Sequence, residues 1–246
     1  MAGKSSIIYQ SREFAAAWDK YLGAHEDILR TRMMNLILLE EIGNLKGKNV
    51  LDAGCGNGFF IKYLSKLKPK KIFAFDISQQ LIKIARKRYD FVDFRGADLI
   101  KKTPYKEGQF DCVICYNVFM DLPRIETATR ELSRVTKKGG KIHIVIVHPL
   151  YNLFFNDIKA KTESITRRLR RYTSEERILV GTIPGFGKFT VYRRPLSRYL
   201  NEFKENHLFL EKMIEVPISE EVAKIDKKYK ERTGVPVFAY FKLKKE

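Results

Sequence analysis

The stretch Asn49-Val-Leu-Asp-Ala-Gly-Cys-Gly-Asn-Gly58, with Lys71-Ile-Phe-Ala-Phe-Asp76 downstream, decides the fold. Each begins as a short apolar run of strand length. The first runs into three alternate glycines, and an amphipathic segment over residues 59–67 follows them. Glycines at a strand-to-helix turn allow positive φ and let a ligand approach the backbone beside the positive end of the helix. Asp76 ends the second run 20 residues beyond Gly56, where a carboxylate can accept both hydroxyls of a ribose. That order of features predicts a nucleoside-binding βαβ unit.

Spacing narrows the ligand. A dinucleotide fingerprint is G-x-G-x-x-G, and here the third glycine comes one residue early, as Gly54-x-Gly56-x-Gly58. No Lys-Ser/Thr follows the glycines, so a P-loop is excluded. A third acid, Asp98 in Gly96-Ala-Asp-Leu99, follows a short strand candidate at 91–94 and is placed to accept the exocyclic amine of adenine. Its plainer alternative is a turn cap. One acid for a ribose, one for adenine and no pyrophosphate site suggest an adenosyl compound with a short polar tail.

Working outward, short apolar runs alternate with amphipathic ones from Lys48 to Val147. Strands are predicted at 49–53, 71–76, 91–94, 110–116 and 142–147, with helices at 59–67, 78–88 and 123–135 between them and a turn at 137–140. Ser78 is a helix N-cap and Pro123 a first-turn proline. This alternation specifies an α/β fold with a doubly wound parallel sheet, and near-continuous apolar strands fit burial on both faces. A helix at 196–206 and strands at 208–216 and 235–243 extend the sheet antiparallel. Residues 13–43 read as helices. Residues 150–194 separate two sheet elements with weak periodicity, a length that points to a functional cap. The chain therefore reads as a single domain, 1–246, with an N-terminal helical lid over 1–47 and an inserted cap over 150–194.

The glycine loop, Asp76, Asp98 and Glu131-Leu-Ser-Arg-Val-Thr-Lys-Lys-Gly-Gly140 resemble the class I S-adenosylmethionine-dependent methyltransferases over roughly residues 49–147. The resemblance implies a Rossmann-like seven-stranded sheet with the last strand antiparallel. It implies S-adenosylmethionine as cofactor, S-adenosylhomocysteine as product, and no metal. It also implies residue roles: Asp52, Gly54, Cys55, Gly56 and Gly58 against the methionine part, Asp76 and Ile77 at the ribose, Asp98 and Leu99 at adenine, and Tyr116 and Asn117 on the sulfonium side. Ile146-Val-His-Pro149, Tyr192-Arg-Arg-Pro-Leu-Ser197 and Glu215-Val-Pro217 are similar to a subgroup that methylates small molecules.

Methyl transfer from a sulfonium is an in-line displacement, so the protein must align the reacting atoms and exclude water. A base is needed only for a protonated acceptor. His148, at the end of the fifth strand, is the candidate base. Trp18 and Tyr21, with Tyr9 and Phe14, are candidate aromatics over the cofactor and acceptor. Tyr192 and Arg193, with Phe186, are candidate acceptor contacts from the cap.

Composition bounds the alternatives. The 246 residues carry 47 Lys plus Arg against 29 Asp plus Glu, a net +18 spread as +10 over residues 1–150 and +8 over 151–246. Such a spread is not a basic arm. The local cluster Arg167-Arg-Leu-Arg-Arg171 is the one feature favouring an RNA methyltransferase, the main alternative to a small-molecule enzyme. A non-catalytic cofactor-binding module is the third reading and a nicotinamide oxidoreductase a remote fourth. Cys112 and Cys115 have C-x-x-C spacing, but on a strand they face opposite sides and read as buried hydrophobes. No apolar run reaches the ~18 residues of a membrane helix. The chain reads as soluble and cytoplasmic, with no membrane partner.

Overall fold

Parallel β-strands with apolar residues at nearly every position need cover on both faces, and the computed structural model supplies it. It describes residues 8–23, 27–158, 162–183 and 187–246. The strands are β1 (Asn49–Ala53), β2 (Lys71–Asp76), β3 (Asp93–Gly96), β4 (Phe110–Tyr116), β5 (Thr136–Val147), β6 (Glu176–Ile183), β7 (Gly187–Arg193), β8 (Leu208–Pro217) and β9 (Pro236–Lys245). The helices used below are α1 (Arg12–Gly23), α2 (Asn35–Ile42), α3 (Ile61–Leu64), α4 (Gln79–Arg88), α5 (Ile125–Val135), α6 (Ile165–Arg170), α7 (Leu196–Glu205) and α8 (Glu220–Ile225).

Seven strands form one sheet in the order β3-β2-β1-β4-β5-β9-β8. β1 to β5 pair parallel, while β9 lies antiparallel between β5 and β8. This is the doubly wound, Rossmann-like sheet with its last strand antiparallel. Alternation along each strand sends side chains to two cores. Val50, Ile72, Cys112 and Ile114 pack under α2, α3 and α4, whereas Leu51, Phe73, Val113 and Cys115 pack under α5 and α7. Cys112 and Cys115 thus lie on opposite faces, both buried and free.

Several boundaries moved for local reasons. Residues 137–140 run inside β5 as an irregularity: its register against β4 shifts between Phe110 and Cys112, and Gly139 takes φ +75°. The third strand sits two residues later, at Asp93–Gly96, because β2 holds it in register from Phe73↔Asp93 to Asp76↔Gly96. Pro123 precedes α5 rather than entering it; Arg124 is the extended residue before the helix. Ser78 caps α4 as expected, accepting the Leu81 N–H at 3.3 Å.

The segment between β5 and α7 contains the antiparallel hairpin β6–β7 and the short helix α6. Arg171 ties this cap together. Its guanidinium donates to Asp157 (3.0 Å), to Glu163 (2.6 Å) and to Glu176. Among the described residues, no helix is long and apolar enough to cross a membrane.

Candidate functional site

A strand that ends at its carboxyl edge must turn into the following helix, and at β1 three glycines make that turn. Gly54, Gly56 and Gly58 take φ of +82°, +56° and +79°. The bare Cα atoms serve different ends. A Cβ on Gly54 would lie 2.3 Å from Val118 Cγ2, and one on Gly58 would lie 3.1 Å from Tyr89, so these two glycines admit protein side chains. Gly56 meets nothing closer than Trp18 Nε1 at 3.5 Å. A side chain there would make only ordinary van der Waals contact.

The loop is bound to β2. Gly54 and Cys55 donate N–H bonds to the Phe75 carbonyl (2.8 and 2.9 Å). Gly56 donates to Asp76 Oδ2 and Ser78 to Asp76 Oδ1, both at 2.8 Å. With about four lone-pair sites on its two oxygens, Asp76 keeps acceptor capacity for a ligand. Burial pushes the Asp76 carboxyl above its ordinary pKa, while backbone N–H groups of Ser78, Gly56 and Ile77 oppose that rise. Asp52, beneath the loop, is buried with Oδ2 unpartnered among the described residues. Burial, and then the charge of Asp76, push its pKa up to about 7.

These residues border a cavity of about 470 Å³ at the carboxyl ends of β1, β2, β3 and β4. Every cofactor residue expected from sequence except Gly58 lines it: Asp52, Gly54, Cys55, Gly56, Asp76, Ile77, Asp98, Leu99, Tyr116 and Asn117. Asp98 also serves its own turn, accepting the Ile100 N–H at 3.2 Å. Tyr116 donates its hydroxyl to Asn35 of α2 at 3.1 Å. Asn117 holds φ +56°, rare for a residue with a side chain, and its Oδ1 is buried without a described partner. Strain and an orphaned acceptor coincide at this strand end.

Two elements outside the sheet close the cavity. From the N-terminal side come Tyr9, Phe14, Trp18 and Arg30, the guanidinium lying 5.2 Å from the Trp18 ring and 5.4 Å from the Tyr116 ring. Asp19 anchors α1 by accepting from Asn57 of the glycine loop (2.7 Å) and pairing with Arg88 (2.7 Å). From the cap come Asn152, Asn156, Val180, Phe189 and Val191. Asp121, in the single turn Phe119–Asp121 after β4, also lines the cavity, and sequence reasoning passed over it and Arg30. Asp121 stands four residues past Asn117, and that offset from a strand end was the available signal.

Other expected contacts lie elsewhere. His148 is fully buried and does not border the cavity. Its Nδ1 accepts the Leu150 N–H (3.1 Å) at a helical turn, which leaves the Nε2 proton for Glu215 Oε1 at 2.7 Å. Burial lowers its pKa, against the raising effect of Glu215. With both nitrogens engaged, His148 is a structural hydrogen-bonder and is withdrawn as a base. Arg193 is 1% exposed and donates to the carbonyls of Tyr172 (3.0 Å) and Arg171 (2.6 Å), so it holds the cap instead of touching an acceptor. Tyr192 stacks with Arg194, 5.2 Å away, outside the cavity lining. Tyr21 stands behind Trp18, ring centroids 5.9 Å apart, and is not part of the lining. Phe186 lies outside the described residues. Arg194, from the same stretch as Tyr192, donates to the carbonyls of Phe119, Leu122 and Pro123 and so braces the turn that carries Asp121.

Sheet order, antiparallel β9 and the glycine-loop crevice define a class I, Rossmann-like methyltransferase fold. Residues 51–144 match the family described as "Methyltransferase domain". It is similar to the "Ubiquinone biosynthesis O-methyltransferase" of Xanthomonas euvesicatoria, 28% identical over 150 residues that cover 57% of this chain and 62% of that protein. It is also similar to the "tRNA U34 carboxymethyltransferase" of Nautilia profundicola, 28% identical over 106 residues, 40% of this chain and 34% of that one. The crystal structure of an S-adenosylmethionine-dependent methyltransferase from Mesorhizobium loti shares the fold with TM-score 0.67 and 17% identity, covering 82% of this chain and 93% of that one. The chain spans less than two thirds of the length of either curated relative.

Proposed function

We propose that the chain is a cytoplasmic S-adenosylmethionine-dependent methyltransferase that acts on a small-molecule acceptor. One observation carries the reading: the Gly54–Gly58 turn, Asp76, Asp98 and Asn117 converge on a single cavity at the carboxyl ends of the strands. The donor set fits an adenosyl sulfonium. Asp76 would take the ribose hydroxyls, Asp98 and Leu99 the adenine, and Asp52 and Asn117, each with an orphaned buried oxygen, the amine end. When bound, this cofactor supplies an activated methyl group. The chain's own residues orient it and keep water away. Phe14 and Trp18 on one side, with Phe189 and Val191 on the other, form the apolar enclosure that such a displacement needs. Residues 1–47 act as lid and 150–194 as acceptor cap.

The RNA reading loses part of its support. Arg171 is committed to three carboxylates, Arg167 pairs with Glu163 (3.6 Å), and Arg168 donates to the Glu163 carbonyl. Arg171, spent on holding the cap, has little charge left for phosphates, while the Arg167 side chain stays 74% exposed.

Titration calorimetry with S-adenosylhomocysteine tests the proposal. Asp76→Ala removes one or two charge-assisted hydrogen bonds, each worth about 1.5–3 kcal/mol, so affinity falls at least tenfold. Unchanged affinity removes the ribose assignment, and binding of a nicotinamide dinucleotide in its place removes the enzyme class.

A further inference from the structure

We infer that Asp121 accepts the proton of the methyl acceptor, and that this acceptor is a weakly acidic hydroxyl compound, a phenol or enol, with an apolar body. The inference rests on the methyltransferase reading above and adds the substrate class and the base.

The position is the first ground. Asp121 lines the cavity from the β4 side, and its Oδ1 is buried without a hydrogen bond from any described residue. Leaving a buried carboxyl oxygen undonated is costly unless a ligand completes it. The neighbouring residue Met120 packs with Ile178, Val180 and Val191 of the cap hairpin, so Asp121 stands where the crevice meets the cap. The hairpin contributes Val180, Phe189 and Val191 to the lining and no charged side chain. An apolar body fits there, with its polar atom toward Asp121.

The electrostatic surroundings agree. Burial, the largest influence, pushes Asp121 up to about 7; Tyr9 and Arg30 oppose the rise and Asp76 adds to it. Tyr9 approaches from the N-terminal segment without a well-directed hydrogen bond. Cys115 of β4 and Tyr199 of α7 sense the Asp121 charge, and Arg194 braces the turn from behind. A base poised near neutrality suits a hydroxyl whose own pKa is about 10, as in a phenol, far better than an alkyl alcohol. In the step, the hydroxyl proton passes to Asp121 Oδ1 and the freed oxygen pair forms the new O–C bond. The C–S bond breaks with its electron pair staying on sulfur, giving a neutral thioether, and Asp121 then returns its proton to water.

The test uses the full chain, methyl-labelled S-adenosylmethionine and 4-propylphenol as probe. Wild type should transfer label to the phenol, with kcat rising along one limb near pH 7. Asp121→Asn should lower kcat by about 100-fold or more while KM stays within about threefold. Infrared difference spectra with S-adenosylhomocysteine should show buried carboxylic-acid carbonyl bands titrating near pH 7 from both Asp52 and Asp121; Asp121→Asn should lose one of them, and Asp52→Asn should keep the Asp121 band. The pH limb is read on wild type and the Asp121 band on Asp52→Asn, so both stand even if Asp121→Asn fails to fold. Full turnover in Asp121→Asn, no transfer to 4-propylphenol by protein that binds S-adenosylhomocysteine, or no titrating Asp121 band overturns the inference. Failure to bind S-adenosylhomocysteine at all is a separate result, which overturns the enzyme reading itself.

Discussion

Asp52 and Asp121 are buried carboxyls held near neutrality, and Asp52 makes the simpler prediction because it lies under a backbone loop. A raised carboxyl pKa means that the native state keeps its proton to higher pH than the unfolded chain does. The stability tied to that proton is complete below about pH 4 and declines as pH rises to about 7. Asp52→Asn is neutral throughout. Urea unfolding should therefore show the variant gaining on wild type across this window, by up to about 4 kcal/mol above pH 7. A constant difference from pH 4 to 8 would remove the buried-acid account. The glycines separate in a second prediction. Gly54→Ala forces a methyl against Val118 at 2.3 Å in a left-handed backbone, so it should cost about 2–4 kcal/mol in thermal unfolding. Gly56→Ala, whose methyl would meet only Trp18 Nε1 at van der Waals distance, should cost about 1 kcal/mol. Asp52, Asp76 and Asp98 were legible in the sequence because each sits at a strand end with fixed spacing. Arg30 was not, since no periodic pattern marks it, and Asp121 had only its offset from the end of β4 to show it. His148 was misleading for the opposite reason: it has the right strand end, but Glu215, 67 residues away, claims its free nitrogen.

The cap shows what an element-level reading reaches and misses. Its length marked it as functional, and Val180, Phe189 and Val191 do border the cavity. Arg171, from the cluster that looked like a phosphate grip, is instead a fastener, because its carboxylate partners Asp157, Glu163 and Glu176 are scattered along the chain. Arg171 above all, with lesser influence from Ser174 and Arg193, draws the Glu176 carboxyl down to about 2. A depressed carboxylate adds stability above its unfolded pKa of about 4.5 and loses it as pH falls toward 2. Arg171→Ala should therefore free the β6–β7 hairpin at neutral pH, by about 1–3 kcal/mol of local opening, and have less effect at pH 3. Amide hydrogen exchange is the measurement. Protection should fall in β6 and β7 and stay constant in β1 and β4. Hairpin protection indifferent to the substitution would mean that the arginine network holds nothing, and the phosphate-binding reading would regain its ground.

At the scale of the whole molecule, alternating runs in the sequence made the parallel half of the sheet legible, and continuous apolar strands foretold cover on both faces. The seating of β9 between β5 and β8 was not readable from pattern, because both neighbours present similar apolar alternation and only pairing across the sheet decides among them. Nor was the meeting of the two covers. Phe189 of the hairpin packs with Phe14 and Trp18 of α1 over Leu81, so the N-terminal segment and the cap close on the cavity as one roof. Trp18 is the chain's single tryptophan and lines that cavity, which turns the roof into an optical reporter. S-adenosylhomocysteine bound against the Gly54–Gly58 turn should displace water from the indole and shift emission to shorter wavelength, saturating at the calorimetric affinity. Trp18→Ala should weaken that affinity about tenfold, or ~1.4 kcal/mol, within what one enclosing aromatic face supplies. Phe189→Ala acts from the opposite cover, so it should blunt the wild-type spectral shift while leaving the Trp18 anchor at Asp19 and Asn57 intact. Binding seen by calorimetry with no change in emission would mean that the roof takes no part in holding the ligand, and the enclosure on which water exclusion depends would have to come from the acceptor itself.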